Sequence, residues 1–387
     1  MIALREDFSD LLTVKDAHCD FVVERVTKII KFYIDVFAYL PHIVDRKPNK
    51  KNLTVRIKAI KNQYDCGNYK ALLNAILIKK SLIKEEEDLI NLSYRGSFIT
   101  AAKDFSVISD LLGDLLNVCE QVINIDFCEN PESSFQLYQQ WQEKYKPMGF
   151  LLNKIFDYDN WFIDLPPDRT WGPYQLTSKL NIRSCPYCNR QFTFSLIGIG
   201  GRKLGRPQLD HFLPKSKHPL LALSFYNLIP SCSSCNGTLK GAAPSSYLTH
   251  LSPYELNPKN GYMRFSYIPK SYEASVGLSE DLKMCLTYSG DNASTDLKAK
   301  VEGNIDLFGL VEIYQNHTDV VQEIIFKRKV SNDRYIDTLQ RTFIGFPLST
   351  EDAYRLAFGN YYDEKEFHKR PLAKLVKDIA IEMKILP

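Results

Sequence analysis

Two Cys-x-x-Cys turns, Cys185-Pro186-Tyr187-Cys188 and Cys232-Ser233-Ser234-Cys235, constrain this chain more than any other feature. Each turn brings two sulfurs to one ion without straining the backbone. Two turns complete a tetrahedral four-sulfur set, the ligand set of structural Zn2+. Forty-three residues lie between Cys188 and Cys232, longer than a simple zinc-ribbon spacing. Zinc there closes a long loop and leaves room for a functional insert between the knuckles. The rivals are four unrelated buried thiols and disulfides. The chain has nine cysteines, an odd number, and its opening Met1-Ile2-Ala3-Leu4-Arg5-Glu6-Asp7 lacks the apolar run of a signal peptide. A reducing cytoplasm is therefore expected, with Cys19, Cys66, Cys119, Cys128 and Cys285 as core filler.

The insert carries a β-hairpin signal. Arg190 to Ile197 is rich in β-formers and aromatics, residues 198–205 are glycine-rich, and Arg206-Pro207-Gln208-Leu209 leads into Asp210-His211. Beyond it, Cys232 to Lys240 reads as a short helix with serine available to cap it. Strand, strand and helix suffice for a small metal-binding unit. Phosphodiester hydrolysis needs a base to activate water and positive charge to stabilise the leaving oxygen. His211, with an ordinary pKa of about 6.5, suits the base. Asp210 and Asn236 offer oxygen ligands to Mg2+ or Mn2+, hard ions that bind through few protein oxygens. Asn227 suits an orienting role, hydrogen-bonding backbone to hold the histidine loop still. In a regular strand Asp210 and His211 point to opposite faces, so both serve one site only if the backbone bends; Pro214 favours such a departure.

The set Cys185/Cys188, Asp210/His211, Asn227 and Cys232/Cys235/Asn236 resembles the HNH, or ββα-metal, endonuclease superfamily. The run Leu209-Asp210-His211-Phe212-Leu213-Pro214-Lys215-Ser216-Lys217, with Asn227-Leu228-Ile229-Pro230-Ser231-Cys232 after it, is similar to HNH subunits of bacterial anti-phage systems, the PtuB-like nucleases of Septu and retron-associated systems. The match covers roughly residues 171–258, about a quarter of the chain. It implies that His211 is the general base, that Asp210 and Asn236 ligate a catalytic Mg2+ or Mn2+, and that Asn227 is structural. The last motif position is Asn236 rather than histidine, a variant the superfamily accepts. The resemblance further implies a separately encoded ABC- or SMC-like ATPase partner, since this chain contains no Gly-x-x-x-x-Gly-Lys-Ser/Thr run.

Charge agrees with a polyanionic substrate. Net charge is only +3, but residues 171–258 carry +7 and leave −4 for the rest. Arg202, Lys203, Arg206, Lys215, Lys217 and Lys240 are the candidate phosphate contacts. DNA is favoured over RNA, although a metal site that reads phosphate does not itself separate them. An RNase acting on tRNA or structured RNA, and a non-catalytic zinc module that binds nucleic acid or a partner, remain as alternatives.

The flanks carry no chemistry of their own. No run of about 18 apolar residues exists, since 26–44 is broken by Lys28, Lys31 and Asp35; a membrane span is not expected. Phe105, Ile108, Leu111, Leu112, Leu115, Leu116, Val122 and Ile123 repeat at helical spacing. Another helix is expected from Phe135, and further ones over 311–330 and 371–385. Tyr262 to Ile268 alternates like a strand. Arg46 to Asn52 reads as a polar loop and Asp164 to Asp168 as a boundary. His317 and Asp319 read as a helix-start cap, and His18, His42, His218, His250 and His368 belong to no constellation. The expected fold is α+β and mostly helical: residues 1–168 helical and partner-docking, 169–258 a ββα-metal unit with a four-cysteine zinc site, and 259–387 mainly helical. Self-assembly into a homo-oligomer is a further expectation.

Overall fold

The computed structural model describes residues 1–4, 11–39, 50–64, 102–128, 130–163, 170–241, 243, 245–255, 262–289, 295–330, 335–342 and 348–385. They form a mostly helical protein with three two-stranded sheets. No described helix is long and apolar enough to cross a membrane. Two compact units emerge, and they interleave in sequence. One gathers residues 12–176 with 213–228; the other gathers 1–11, 177–212 and 229–387. The segments expected from sequence, divided at 168 and 258, follow the order of the chain, whereas these two units follow its packing.

The helical unit is built on α1 (Leu11–Tyr39), α2 (Lys50–Tyr64), α3 (Ala102–Asn124) and α4 (Pro131–Tyr145). In α1, Leu11, Val14, His18, Val22, Val26, Ile29 and Tyr33 recur every three or four residues and are all buried, the apolar stripe of a core-facing helix. The predicted α3 stripe behaves likewise: Ile108, Leu112, Leu115, Val122 and Ile123 are buried, while Leu111 and Leu116 at its edge are half-buried. α4 contains the helix expected from Phe135 and starts on Pro131 at its first position, where the missing N–H has no partner to lose. Lys50 to Asn52 open α2 rather than closing a loop, and 46–49, like 164–168, lie outside the described residues.

Segment 213–228 is tied into this unit by polar contacts. Ser224 Oγ donates to the Val122 carbonyl at 2.9 Å, and His18 Nε2 donates to the Leu223 carbonyl at 2.9 Å. Trp171 Nε1 donates to His18 Nδ1 at 3.3 Å. This pattern requires the neutral imidazole, and burial pulls the His18 pKa down to about 4. The unfolded chain takes up that proton at about pH 6.5. Stability from neutral His18 is thus complete above pH 6.5, falls as pH drops toward 4, and is fully lost below it. A His18→Gln variant is expected to remove that slope, so that wild type loses about 2 kcal/mol more than the variant between pH 7 and pH 5. Urea unfolding at the two pH values measures the difference; parallel losses would show that His18 is not the titrating group.

The second unit carries the sheets. Strands β1 (Leu196–Ile197) and β2 (Lys203–Gly205) form a short antiparallel hairpin. β3 (Gln208–His211) pairs with β4 (Leu228–Ser231). β5 (Met263–Pro269) and β6 (Leu282–Tyr288) pair antiparallel from Met263↔Tyr288 to Pro269↔Leu282. Their inner faces alternate as a strand requires: Met263 and Phe265, with Leu282, Met284 and Leu286, are buried. The helix Ala373–Glu382 packs on β5, where Asp378 Oδ2 accepts from the Phe265 backbone N–H at 2.9 Å. Expected helix 311–330 divides into Leu310–Tyr314, a tight turn Gln315–His317, and Thr318–Val330.

Candidate active site and metal centre

Cys185, Cys188, Cys232 and Cys235 are all buried, and their Sγ atoms lie within 4.8 Å of one another. Cys188 and Cys232 Sγ are 4.0 Å apart. Four thiolates around one tetrahedral Zn2+ stand about 3.8 Å apart for Zn–S bonds of about 2.3 Å. The cluster can therefore hold a metal ion such as zinc. Both knuckles aim backbone N–H groups at sulfur: Arg190 N to Cys188 Sγ and Cys235 N to Cys232 Sγ, each 3.4 Å. Hydrogen bonds from Cys185, Cys232 and Cys235 draw the Cys188 thiol toward thiolate.

Asn189 fixes the first knuckle, a role that sequence reading missed. Its backbone sits in the left-handed region at φ 47°, which asparagine tolerates better than most residues. Its Nδ2 donates to Ser184 Oγ at 2.9 Å and to the Phe367 and Arg370 carbonyls at 3.1 Å each. Its Oδ1 accepts from Lys374 N at 3.1 Å. These knuckle bonds also explain why the predicted strand 190–197 is short. Gln191 O accepts from Cys185 N, and Thr193 N donates to Arg183 O, so only Leu196 and Ile197 remain to pair.

Beside the knuckles, Asp210 stands at the centre of a buried polar cluster. Lys240 Nζ donates to Asp210 Oδ1 at 2.9 Å, to Oδ2 at 2.7 Å and to the His211 carbonyl at 2.5 Å. Tyr187 Oη donates to Asp210 Oδ2 at 2.6 Å. The ion-paired side chains are 1% and 3% exposed. Burial pulls the Lys240 ammonium down and the Asp210 charge offsets part of that shift. Burial and Asp210 together hold the Tyr187 hydroxyl well above its ordinary value. This corrects the reading of Lys240 as a phosphate contact: its ammonium is enclosed by protein and already carries a carboxylate.

Lys240 reaches inward from a wide helical turn, Ser234–Lys240, which closes with an i→i+5 bond from Gly241 N to the Asn236 carbonyl at 2.9 Å. The expected serine cap makes no side-chain bond there. Asn236 is half-buried, and its Nδ2 donates to Gln208 Oε1 at 2.8 Å. The 234–240 turn is thus bonded to β3 at two points. β3 does not alternate: Leu209, Asp210 and His211 are all buried, with His211 8% exposed. Asn227 clamps backbone in the helical unit. Its Oδ1 accepts from Leu213 N at 2.7 Å, and its Nδ2 donates to the Leu213 and Leu221 carbonyls at 3.1 and 3.0 Å.

The donor set fits a hard divalent ion in part. A carboxylate oxygen accepts two bonds; Asp210 Oδ1 takes one from Lys240, and the Asn236 amide engages through nitrogen, which leaves its oxygen as a ligand atom. The adjacent ammonium compensates Asp210 charge and lowers its pull on a second cation.

The other basic candidates separate. Arg202 and Lys203 are exposed at the β1–β2 hairpin, and Lys217 is exposed in the helical unit. Arg206 is half-buried and donates to the Pro207 carbonyl at 2.9 Å. Lys215 pairs with Asp159 and lies 4.8 Å from the Tyr158 ring centroid. His218 bonds Tyr138 Oη at 2.9 Å. His317 packs edge-on against Tyr314, 5.8 Å between centroids, whose hydroxyl donates to the Cys188 carbonyl at 2.5 Å. It neighbours the cysteine centre from outside.

Sixty-three residues of this chain are 38% identical to Septu protein PtuB of Bacillus thuringiensis. The match covers 16% of this chain and 24% of that protein, so the chain spans about a quarter of the length of the curated relative it matches. No family model matches the chain, and no solved structure matches it.

Proposed function

We propose that this chain is a metal-dependent endonuclease of an anti-phage defence system. The observation that supports the reading is the bonding of the 234–240 turn to β3, Asn236 to Gln208 and Lys240 to Asp210 and the His211 carbonyl, with Cys235 of the four-cysteine cluster in that same turn. The partial identity to Septu protein PtuB supports the defence role, and a separate ABC- or SMC-like ATPase is the partner this role requires.

In this reading His211 accepts a proton from water as the water oxygen bonds to phosphorus. The bond to the 3′ oxygen breaks, and that oxygen takes a proton from solvent. Lys240 and Tyr187 hold Asp210, and Asn227 pins the backbone that follows Phe212. Asp210 and Asn236 would hold a Mg2+ ion, which would supply positive charge for the phosphate and the leaving oxygen. Zinc on the four cysteines would be structural, because four thiolates would leave no open position.

The test is cleavage of supercoiled plasmid and of total tRNA in Mg2+ or Mn2+, wild type beside His211→Ala, with the ATPase partner supplied. Wild type is expected to convert plasmid, and the variant to be slower by about 10²–10⁴-fold at unchanged zinc content. Equal rates would remove His211 from this role; loss of tRNA alone would make the protein an RNase.

A further inference from the structure

The β1–β2 hairpin exposes apolar side chains that folding should have hidden. Thr193 is buried, with its hydroxyl donating to the Ile182 carbonyl at 2.9 Å, so the alternation of an extended chain turns Phe192 and Phe194 outward. They stack on each other, 4.8 Å between centroids at 18°, and remain 54% and 44% exposed. Further along, Leu196, Ile197 and Leu204 are each more than half exposed, and Ile199 at the tip is fully so. The tip is a tight turn: Gly200 and Gly201 take φ 71° and 79°, and Gly198 N donates to the Arg202 carbonyl at 2.7 Å. A contiguous apolar patch of this kind marks a contact surface.

Charge selects the occupant. Residues 190–209 contain Arg190, Arg202, Lys203 and Arg206 and no acid. An apolar protein partner does not call for that excess, whereas a polyanion does. The hairpin is also rooted in the candidate site: Asp210 and His211 follow it on β3, and Cys188 precedes it. Aliphatic side chains flanked by cations are the chemistry of wedges that enter a groove and part base steps.

We propose that the β1–β2 hairpin is a duplex-DNA wedge: Ile199 and Leu204 insert between base pairs while Arg202 and Lys203 hold the flanking phosphates. This rests on the nuclease reading and deepens it by naming duplex DNA as the substrate and unstacking as the way it is held.

The test uses the full-length His211→Ala protein, so that DNA is not cut, and a duplex carrying 2-aminopurine. Binding is read by anisotropy and unstacking by the rise in 2-aminopurine fluorescence. Adding Ile199→Ser with Leu204→Ser is expected to abolish the fluorescence rise and weaken binding by about tenfold or more. Ile199→Leu with Leu204→Ile retains both signals. Adding Arg202→Gln with Lys203→Gln instead lowers the log–log salt slope by about 0.9 for each phosphate no longer neutralised and leaves the unstacking signal at saturation. Melting curves and zinc content verify that each variant is folded. The proposal is overturned if the serine variant binds and unstacks as the parent does, if duplex is not bound at all, or if the hairpin confers binding to phosphatidylserine vesicles in place of DNA. Plasmid cleavage by wild type together with unimpaired binding by the serine variant sinks the wedge alone; wild type that cleaves neither plasmid nor tRNA sinks the nuclease assignment instead.

Discussion

Cys185→Ser is expected to release zinc and unfold the unit that carries β1 to β6. Structural Zn2+ contributes about 10–16 kcal/mol of binding free energy in small zinc domains, comparable to the whole net stability of a typical domain, about 5–15 kcal/mol. Here the ion would join Cys185 and Cys188 to Cys232 and Cys235 across forty-three residues, so its loss also frees the closure entropy of that loop. Cys232→Ser should behave alike, and chelation should do the same to wild type. Metal analysis and thermal unfolding together decide it: one equivalent of zinc lost, with a marked fall in Tm. His211→Ala must keep its zinc and its Tm. Wild type that carries no zinc, with serine variants that keep its Tm, would mean that the thiols are core filler and that the knuckles close without an ion.

The second large effect belongs to Lys240. Lys240→Met leaves the Asp210 carboxylate buried with Tyr187 as its remaining bonded partner from the cluster, and breaking a buried pair from one side costs about 3–5 kcal/mol. Asp210→Asn added to it should recover much of the loss, because the remaining buried group is then neutral. Tyr187→Phe removes one hydrogen bond and should cost less, about 1–3 kcal/mol. Denaturant unfolding of the single and double variants supplies the cycle. If Asp210 also ligates Mg2+, the ion should restore Lys240→Met more than it stabilises wild type. A neutral Lys240→Met would show that the ammonium is not what compensates Asp210.

What was legible in the sequence follows from distance along the chain. The cysteine cluster could be read because each turn places its two sulfurs locally. The α1 and α3 stripes could be read because a helix repeats its face every few residues. The Tyr187–Asp210–Lys240 cluster could not: its members are separated by 23 and 30 residues, and no local spacing joins them. Tyr187 was hidden between two cysteines with a stronger signal of their own, and Lys240 was counted as surface charge because lysine usually is. Residues 190–195 carried a strand composition, yet knuckle hydrogen bonds took their backbone groups first. The same segment reads as a hairpin, and only the fold reveals that Phe192, Phe194 and Ile199 face outward.

The interleaving of the two units bears on modularity. The chain leaves the unit that carries the four cysteines after Phe212 and returns at Ile229, and the excursion between, with Asn227 in it, packs with residues 12–176. That excursion lies inside the loop that the four cysteines close. Residues 169–258 excised alone would therefore strand segment 213–228 without Val122 or His18 to bond it. A protein whose units interleave in this way cannot have one of them carried by recombination into another protein without its companion. Its two units are bound to be inherited, synthesised and degraded as one.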